Sequence, residues 1–246
     1  MGKKDKFYSL LDKLYITALT NKYIFFKKET LYHPVKLSGG ALRAKREQGT
    51  LERLKLIDSI ISKEPSSVLD IGSAEGFFSM ALAQKGNFVS AFEGKKQRAL
   101  IGQITARIHG IKNVSFYNCN LDIELAKTLP VFDSVLCLAV WHHWVRLHDL
   151  EYANALLKVI WSKTNKRMFF ETGLTELPEE FKLKGRDEPW LLKNLESALG
   201  DVQITKLGES SSFSAETFVS ATVKRDTNQF KRMFYLIEKR NPEKGI

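Results

Sequence analysis

The stretch Val68-Leu-Asp-Ile-Gly-Ser-Ala-Glu-Gly76 constrains this chain more than any other. A short apolar strand runs into a tight turn with glycine at both ends, and a helix-forming run, Phe77-Phe-Ser-Met-Ala-Leu-Ala83, follows at once. Gly72 permits a backbone conformation closed to residues with a Cβ, and Gly76 lets the helix start pack close to a ligand. From Val68 onward apolar runs alternate with helical patterns. Runs at 68–71, 87–93, 114–119, 132–138 and 167–171 read as buried strands, and stretches at about 77–85, 95–109 and 149–162 read as the helices between them. This repetition predicts a parallel sheet covered by helices on both faces.

After a further helix near 188–199, the runs 202–207 and 233–237 complete seven strands as an antiparallel pair at the sheet edge. The long excursion between them holds an extra strand near 218–223. Ahead of the sheet, residues 5–26 place Phe7, Leu10, Leu11, Leu14, Tyr15, Ala18 and Leu19 on one helical face. Residues 32–40, rich in turn formers, read as a linker, and a second helix is expected at about 41–62. The expected division is a basic amphipathic helix with its linker over 1–40 and one catalytic domain over 41–246.

The turn lacks the G-x-G-x-x-G spacing of a dinucleotide oxidoreductase. About twenty residues past its glycines, the second strand ends in Glu93, a carboxylate placed to accept hydrogen bonds from two ribose hydroxyls. Together with the strand ends Asn118-Cys-Asn120 and Phe132-Asp-Ser-Val-Leu-Cys-Leu138, the loop resembles class I S-adenosylmethionine-dependent methyltransferases over roughly residues 45–240. The resemblance implies a Rossmann-like α/β fold and S-adenosyl-L-methionine as cofactor. It implies that Asp70, Gly72, Ser73, Ala74, Gly76 and Phe77 cradle the cofactor. Glu93 and Gly94 would take the ribose, Asn120 and Leu121 the adenine, and Leu138 and Ala139 the methionine portion. Two positions depart from the family pattern: Ala74 replaces a central glycine, and Asn120 replaces an aspartate beside the adenine amino group.

The acceptor is expected beyond the fourth strand, at Val140-Trp-His-His-Trp-Val145. A hydroxyl acceptor needs its proton removed, whereas a phosphate mainly needs to be held and desolvated. His143 is the first candidate base and His142 the second. Glu171, at the end of the fifth strand, is a candidate to orient His143 or hold a substrate hydroxyl. Trp141 and Trp144 are candidates to stack on a sugar or base. Arg43 and Arg46, one helical turn apart, have the spacing of a phosphate clamp.

The stretch from Leu138 to His143 and the later Arg186-Asp-Glu-Pro-Trp190 resemble the methyltransferases that terminate bacterial O-antigen polysaccharides, which act on a terminal sugar or sugar phosphate. Val135–Val140 is also similar to the methylphosphate-capping enzymes of RNA, and wobble-uridine tRNA methyltransferases share a histidine at the place of His143. The leading expectation is therefore O-methylation in polysaccharide biosynthesis, with a glycan or other polyanionic acceptor. The alternative is an RNA methyltransferase.

Charge narrows the partner class without choosing within it. The formal net charge is +10, concentrated in residues 1–50 and 224–246, a distribution suited to a polyanion or an anionic membrane surface. A cytoplasmic protein with peripheral contact at the inner membrane face is the expectation, because no run is long enough to span a bilayer and no signal-peptide pattern is present. Cys119 and Cys137 fall in apolar runs and read as buried thiols, with no disulfide or metal site expected.

Overall fold

The computed structural model describes residues 14, 31, 35–37, 40–42, 47–61, 65–174, 183, 186–211, 217–220 and 231–240. The amphipathic segment 5–26, apart from Leu14, and the arginines Arg43 and Arg46 lie outside the described residues.

The expected linker contains a small antiparallel hairpin, β1 (Val35–Leu37) with β2 (Gly40–Leu42). The helix expected from residue 41 therefore begins later, as α1 (Glu47–Ile60). The alternating series follows: β3 (Ser67–Ile71), α2 (Phe77–Gln84), β4 (Phe88–Phe92), α3 (Lys96–Ile108), β5 (Val114–Tyr117), α4 (Ile123–Thr128) and β6 (Phe132–Leu138). Next come α5 (Trp141–Leu147), α6 (Leu150–Ser162), β7 (Thr164–Gly173), α7 (Glu188–Leu199), β8 (Val202–Ser211), β9 (Thr217–Ser220) and β10 (Lys231–Lys239). The helices α4 and α5 are additions to the sequence reading. Both are under eight residues, too short for a 3.6-residue period to stand out.

One eight-stranded sheet holds the order β5-β4-β3-β6-β7-β10-β8-β9. The first five strands are parallel, and β10 runs antiparallel between β7 and β8. The expected seven strands are all present, and the extra strand expected inside the excursion is β9, antiparallel to β8.

The pleat sorts side chains onto the two faces. Val68, Val89, Leu136, Phe169, Phe234 and Leu236 pack with Ile57 and Ile61 of the α1 region and with Phe78 and Leu82 of α2. The alternate residues Leu69, Val135, Cys137, Met168, Phe170 and Tyr235 pack under α5, α6 and α7. A third cluster joins Leu31 and Val35 to Ile101 and Ile104 of α3. Cys137 is buried and its thiol is pushed up to about 12 by that burial, whereas Cys119 is only half-buried.

The chain leaves β3 outward through β4 to β5, then returns to place β6 on the other side of β3. Order reverses at β3 and β6, and in open α/β sheets ligands bind beyond the carboxyl ends of the strands at such a point. The glycine turn after β3, Leu138 and Ala139 at the end of β6 and Glu171 near the end of β7 lie there.

Candidate active site

Three residues of the turn after β3 have left-handed backbones: Gly72 at φ 68°, Ala74 at φ 50° and Gly76 at φ 79°. A Cβ on Gly72 would lie 2.6 Å from Val140, and one on Gly76 would lie 2.4 Å from the Phe116 ring. Ala74 adopts a left-handed backbone of the kind glycine adopts freely. The turn is pinned from β4, where the Phe92 carbonyl accepts from the backbone N–H groups of Gly72 at 2.8 Å and Ser73 at 3.0 Å.

Glu93 is buried, and its carboxylate accepts from Ala74 N–H at 2.9 Å and Lys95 N–H at 2.7 Å. The side chain expected to face ribose therefore also ties the glycine turn to the start of α3. Beside it, Gly94 faces Asn120: a Cβ there would meet the amide oxygen at 1.9 Å. Leu121 is buried next to Asn120, and Phe77 opens α2. Asp70 is buried and accepts from Ser79 Oγ. Burial, with help from the nearby Glu93 charge and against the Ser79 hydrogen bond, pushes its carboxyl up to about 7.

At the end of β6, Ala139 is left-handed at φ 57°, and its N–H donates to the Glu171 carbonyl at 2.9 Å. The turn that follows starts α5. Its two tryptophans face inward: Trp141 is fully buried, donates from Nε1 to Asn154 at 3.2 Å and meets Phe170 edge-on at 6.0 Å. Trp144 belongs to the same core cluster. The stacking surface expected of both is thus spent on packing, because large apolar rings on a short helix are worth most inside.

The adjacent histidines differ. His142 is 1% exposed, with Nδ1 3.1 Å from Thr172 Oγ1. His143 is half-buried, its ring 4.5 Å from that of His142. Burial first, and then the charges of Arg146, Arg232, Arg98 and Lys95, push the His143 imidazolium down to about 4. These four cations come from separate places: the last turn of α5, the start of β10 opposite Gly173, and the first turn of α3 with its cap. Arg98 also reaches the fully buried Glu75 of the glycine turn at 3.6 Å.

Glu171 is 1% exposed and forms an ion pair with Arg53 of α1, whose Nη1 donates to both carboxylate oxygens at 2.6 and 2.7 Å. Arg53 was not singled out in the sequence. Its signal was there, since it lies four residues before Ile57 and shares that inward face, where a lone buried arginine demands a partner. Arg53 and Glu171 line a cavity with Asp70, Gly72, Ser73, Phe78 and Leu138. The Ser73 hydroxyl is buried there with no hydrogen-bond partner. The structure thus joins the glycine turn, Leu138 and Glu171 around one cavity, whose lining does not include the histidines.

The later motif has a local explanation. Asp187 caps α7 by accepting from Trp190 N–H at 2.9 Å, and Pro189 lies in the first turn. Glu188 accepts from Tyr235 OH at 2.6 Å and Lys206 at 2.9 Å. Arg186 lies over the Trp190 ring, 4.8 Å from its centroid.

No family model matches the chain. The chain is 27% identical over 126 residues to the O-antigen chain terminator bifunctional methyltransferase/kinase WbdD of Escherichia coli. That match covers 51% of this chain and 18% of WbdD, so the chain corresponds to a minor part of that relative. A crystal structure of WbdD superposes over 91% of this chain and 46% of its own, with a TM-score of 0.69 at 21% identity. The fold is Rossmann-like, a mostly parallel sheet covered by helices. The N-terminal domain of EvdMO1, solved in the presence of SAH and D-fucose, shares this fold over 98% of both chains, with a TM-score of 0.63 at 18% identity.

Proposed function

We propose that the protein is an S-adenosylmethionine-dependent O-methyltransferase acting on a glycan, and that the acceptor group is a sugar-linked phosphate. The kinship with an O-antigen chain terminator and the fold shared with a domain solved with SAH and D-fucose support the reaction and the glycan. The cofactor fits the residues present: the left-handed turn lies at the carboxyl end of β3, packed too closely against Val140 and Phe116 for side chains at Gly72 and Gly76, and the buried Ser73 hydroxyl awaits a polar partner. Asp70, Gly72, Ser73, Ala74, Gly76 and Phe77 would hold it with Glu93, Gly94, Asn120, Leu121, Leu138 and Ala139. When bound, it supplies a methyl group made electrophilic by a sulfonium.

The observation that carries the phosphate is that the charges of four cations act on His143. An imidazole held near 4 is neutral at pH 7 but is a weak base toward a sugar hydroxyl. A phosphate monoester is already anionic, so the chain needs only to hold it, strip its water and aim one oxygen. Arg146, Arg232, Arg98 and Lys95 would supply the charge, and neutral His143 would supply one directed hydrogen bond. No helix among the described residues is long and apolar enough to cross a membrane. The basic segment ahead of residue 31 would keep the enzyme at an anionic surface.

The test uses labelled cofactor with three acceptors: a glycan ending in a phosphate, the same glycan dephosphorylated, and RNA. Label is expected in the first alone. Transfer to the dephosphorylated glycan would restore the hydroxyl reading, and transfer to RNA would replace the glycan. His143→Gln is expected to keep turnover within about tenfold and leave the pH profile unchanged, because the ionisation near pH 6 belongs to the phosphate. A loss of about 10²–10⁴-fold in this variant would instead identify His143 as a general base.

A further inference from the structure

We infer that the outer edge of the sheet, formed by α3 and β5, is the face with which the folded domain lies against an anionic lipid surface. The inference extends the membrane contact proposed above from the basic N-terminal segment to the domain itself. Its grounds are the charge of that edge, its shape, and the place where the N-terminal segment joins it.

Between Glu93 and Asp122 the sequence holds Lys95, Lys96, Arg98, Arg107 and Lys112 and no acid. The bounding acids are engaged locally: Glu93 holds the backbone of Ala74 and Lys95, and Asp122 caps α4. On α3, Lys96, Leu100, Gln103 and Arg107 follow at the i, i+4, i+7 and i+11 spacing of one helical stripe. Both cations of that stripe are exposed, and exposed Lys112 continues it in the connection to β5. Each Lys or Arg held near an anionic bilayer is worth about fivefold in affinity.

Among the described residues β5 pairs with β4 alone and forms the outer edge of the sheet. Between it and α3 lies a groove of about 560 Å³, with Gln103, Arg107, Lys112, Ser115 and Tyr117 in its lining beside apolar Val114. Groups that bind phosphate beside an apolar wall suit a lipid headgroup and the carbons next to it. Tyr117 is 45% exposed, and amphipathic rings of this kind settle at headgroup level. Leu31 and Val35 are buried against Ile101 and Ile104, on the stripe of α3 next to the basic one. The chain ahead of residue 31 therefore joins the fold beside this face, and its sequence holds seven lysines against three acids. The face also ends at Lys95 and Arg98, two of the cations whose charges act on His143. A bilayer along it would bring a lipid-borne glycan to the acceptor side of the site.

The test is co-sedimentation of the full chain with vesicles of phosphatidylcholine, alone or mixed with phosphatidylglycerol. No turnover is needed, so the result is independent of the methyl acceptor. Binding is expected only where phosphatidylglycerol is present. The double variant Arg107→Gln, Lys112→Gln is expected to lose roughly 10–30-fold in affinity while melting like the parent. A matched double variant, Lys158→Gln with Lys193→Gln, removes the same charge from exposed sites on α6 and α7. It is expected to stay within about threefold of the parent, because charges beyond roughly 10 Å are screened. Equal losses in the two variants would reduce the effect to net charge and overturn the inference. A loss seen only when the lysines ahead of residue 31 are replaced would leave the membrane contact to that segment and remove the α3–β5 edge. A parent protein indifferent to phosphatidylglycerol would overturn the edge and the membrane contact together. An Arg107→Gln, Lys112→Gln variant that keeps vesicle binding but loses affinity for a soluble phosphate-bearing glycan would give the edge to the acceptor polymer instead.

Discussion

Asp70 shows how one buried side chain couples the site to pH. Burial is the largest cause of its rise to about 7, and Glu93 adds to it. In the cofactor-free protein the native carboxyl therefore keeps a proton that the unfolded chain gives up near its ordinary value of 3.8. The contribution to stability is fully present below about 4 and is lost as pH rises toward 7. Cationic groups entering the cavity favour the ionised form, so binding of S-adenosylmethionine should release a proton below pH 7. Its affinity should rise with pH by at most about tenfold per unit and level off above about 7. Calorimetry in two buffers of different ionisation heat measures that proton directly. Equal heats at pH 6 would show that Asp70 is already ionised or lies away from the cation. Glu93 is bound differently. Its oxygens hold the backbone of Ala74 and Lys95, so it serves the shape of the turn.

Among the elements, α5 and α7 separate motif from chemistry. On α5 the two tryptophans bury their rings, and His143 is left at the half-buried side. Four adjacent residues that looked like one functional patch are divided by the helical turn into core and site. On α7 the Arg186–Trp190 motif makes the helix start. Asp187 accepts from Trp190 N–H, and an aspartate at this position satisfies a backbone donor that the helix cannot. Asp187→Ala should therefore cost about 0.5–2 kcal/mol in urea unfolding, with kcat and KM of the folded protein unchanged. A selective rise in the acceptor's KM would move Asp187 into the site. The hairpin of β1 and β2 makes a related point about the expected linker. Val35 is fully buried with Leu31 against Ile101 and Ile104, a contact that turn-forming neighbours concealed.

At the scale of the molecule, the sheet's point of reversal gathers charges that are far apart in the chain. Lys95 and Arg98 arrive with α3, Arg146 with α5 and Arg232 with β10. Solvent reaches parts of this cluster, and exposed charges are screened over roughly 10 Å at about 0.1 M salt. The acceptor's KM should therefore rise with ionic strength more steeply than the cofactor's dissociation constant. Arg232→Gln should raise that KM and flatten its salt dependence, with cofactor binding unchanged. An identical salt slope in parent and variant would remove Arg232 from the acceptor site.

The sequence alone determined the alternation of strands and helices, the glycine turn and the order of the strand-end residues. These features rest on local periodicity and on backbone conformations that few residues tolerate. Only the tertiary structure decided that Trp141 and Trp144 are core, that Glu171 answers Arg53 of α1, and that the charges of four cations distant in the chain act on His143. Partners such as Arg53 and Glu171, 118 residues apart, meet because β7 ends beside the cavity that α1 covers. No local pattern encodes that distance: it follows from how the whole chain buries its two apolar sheet faces.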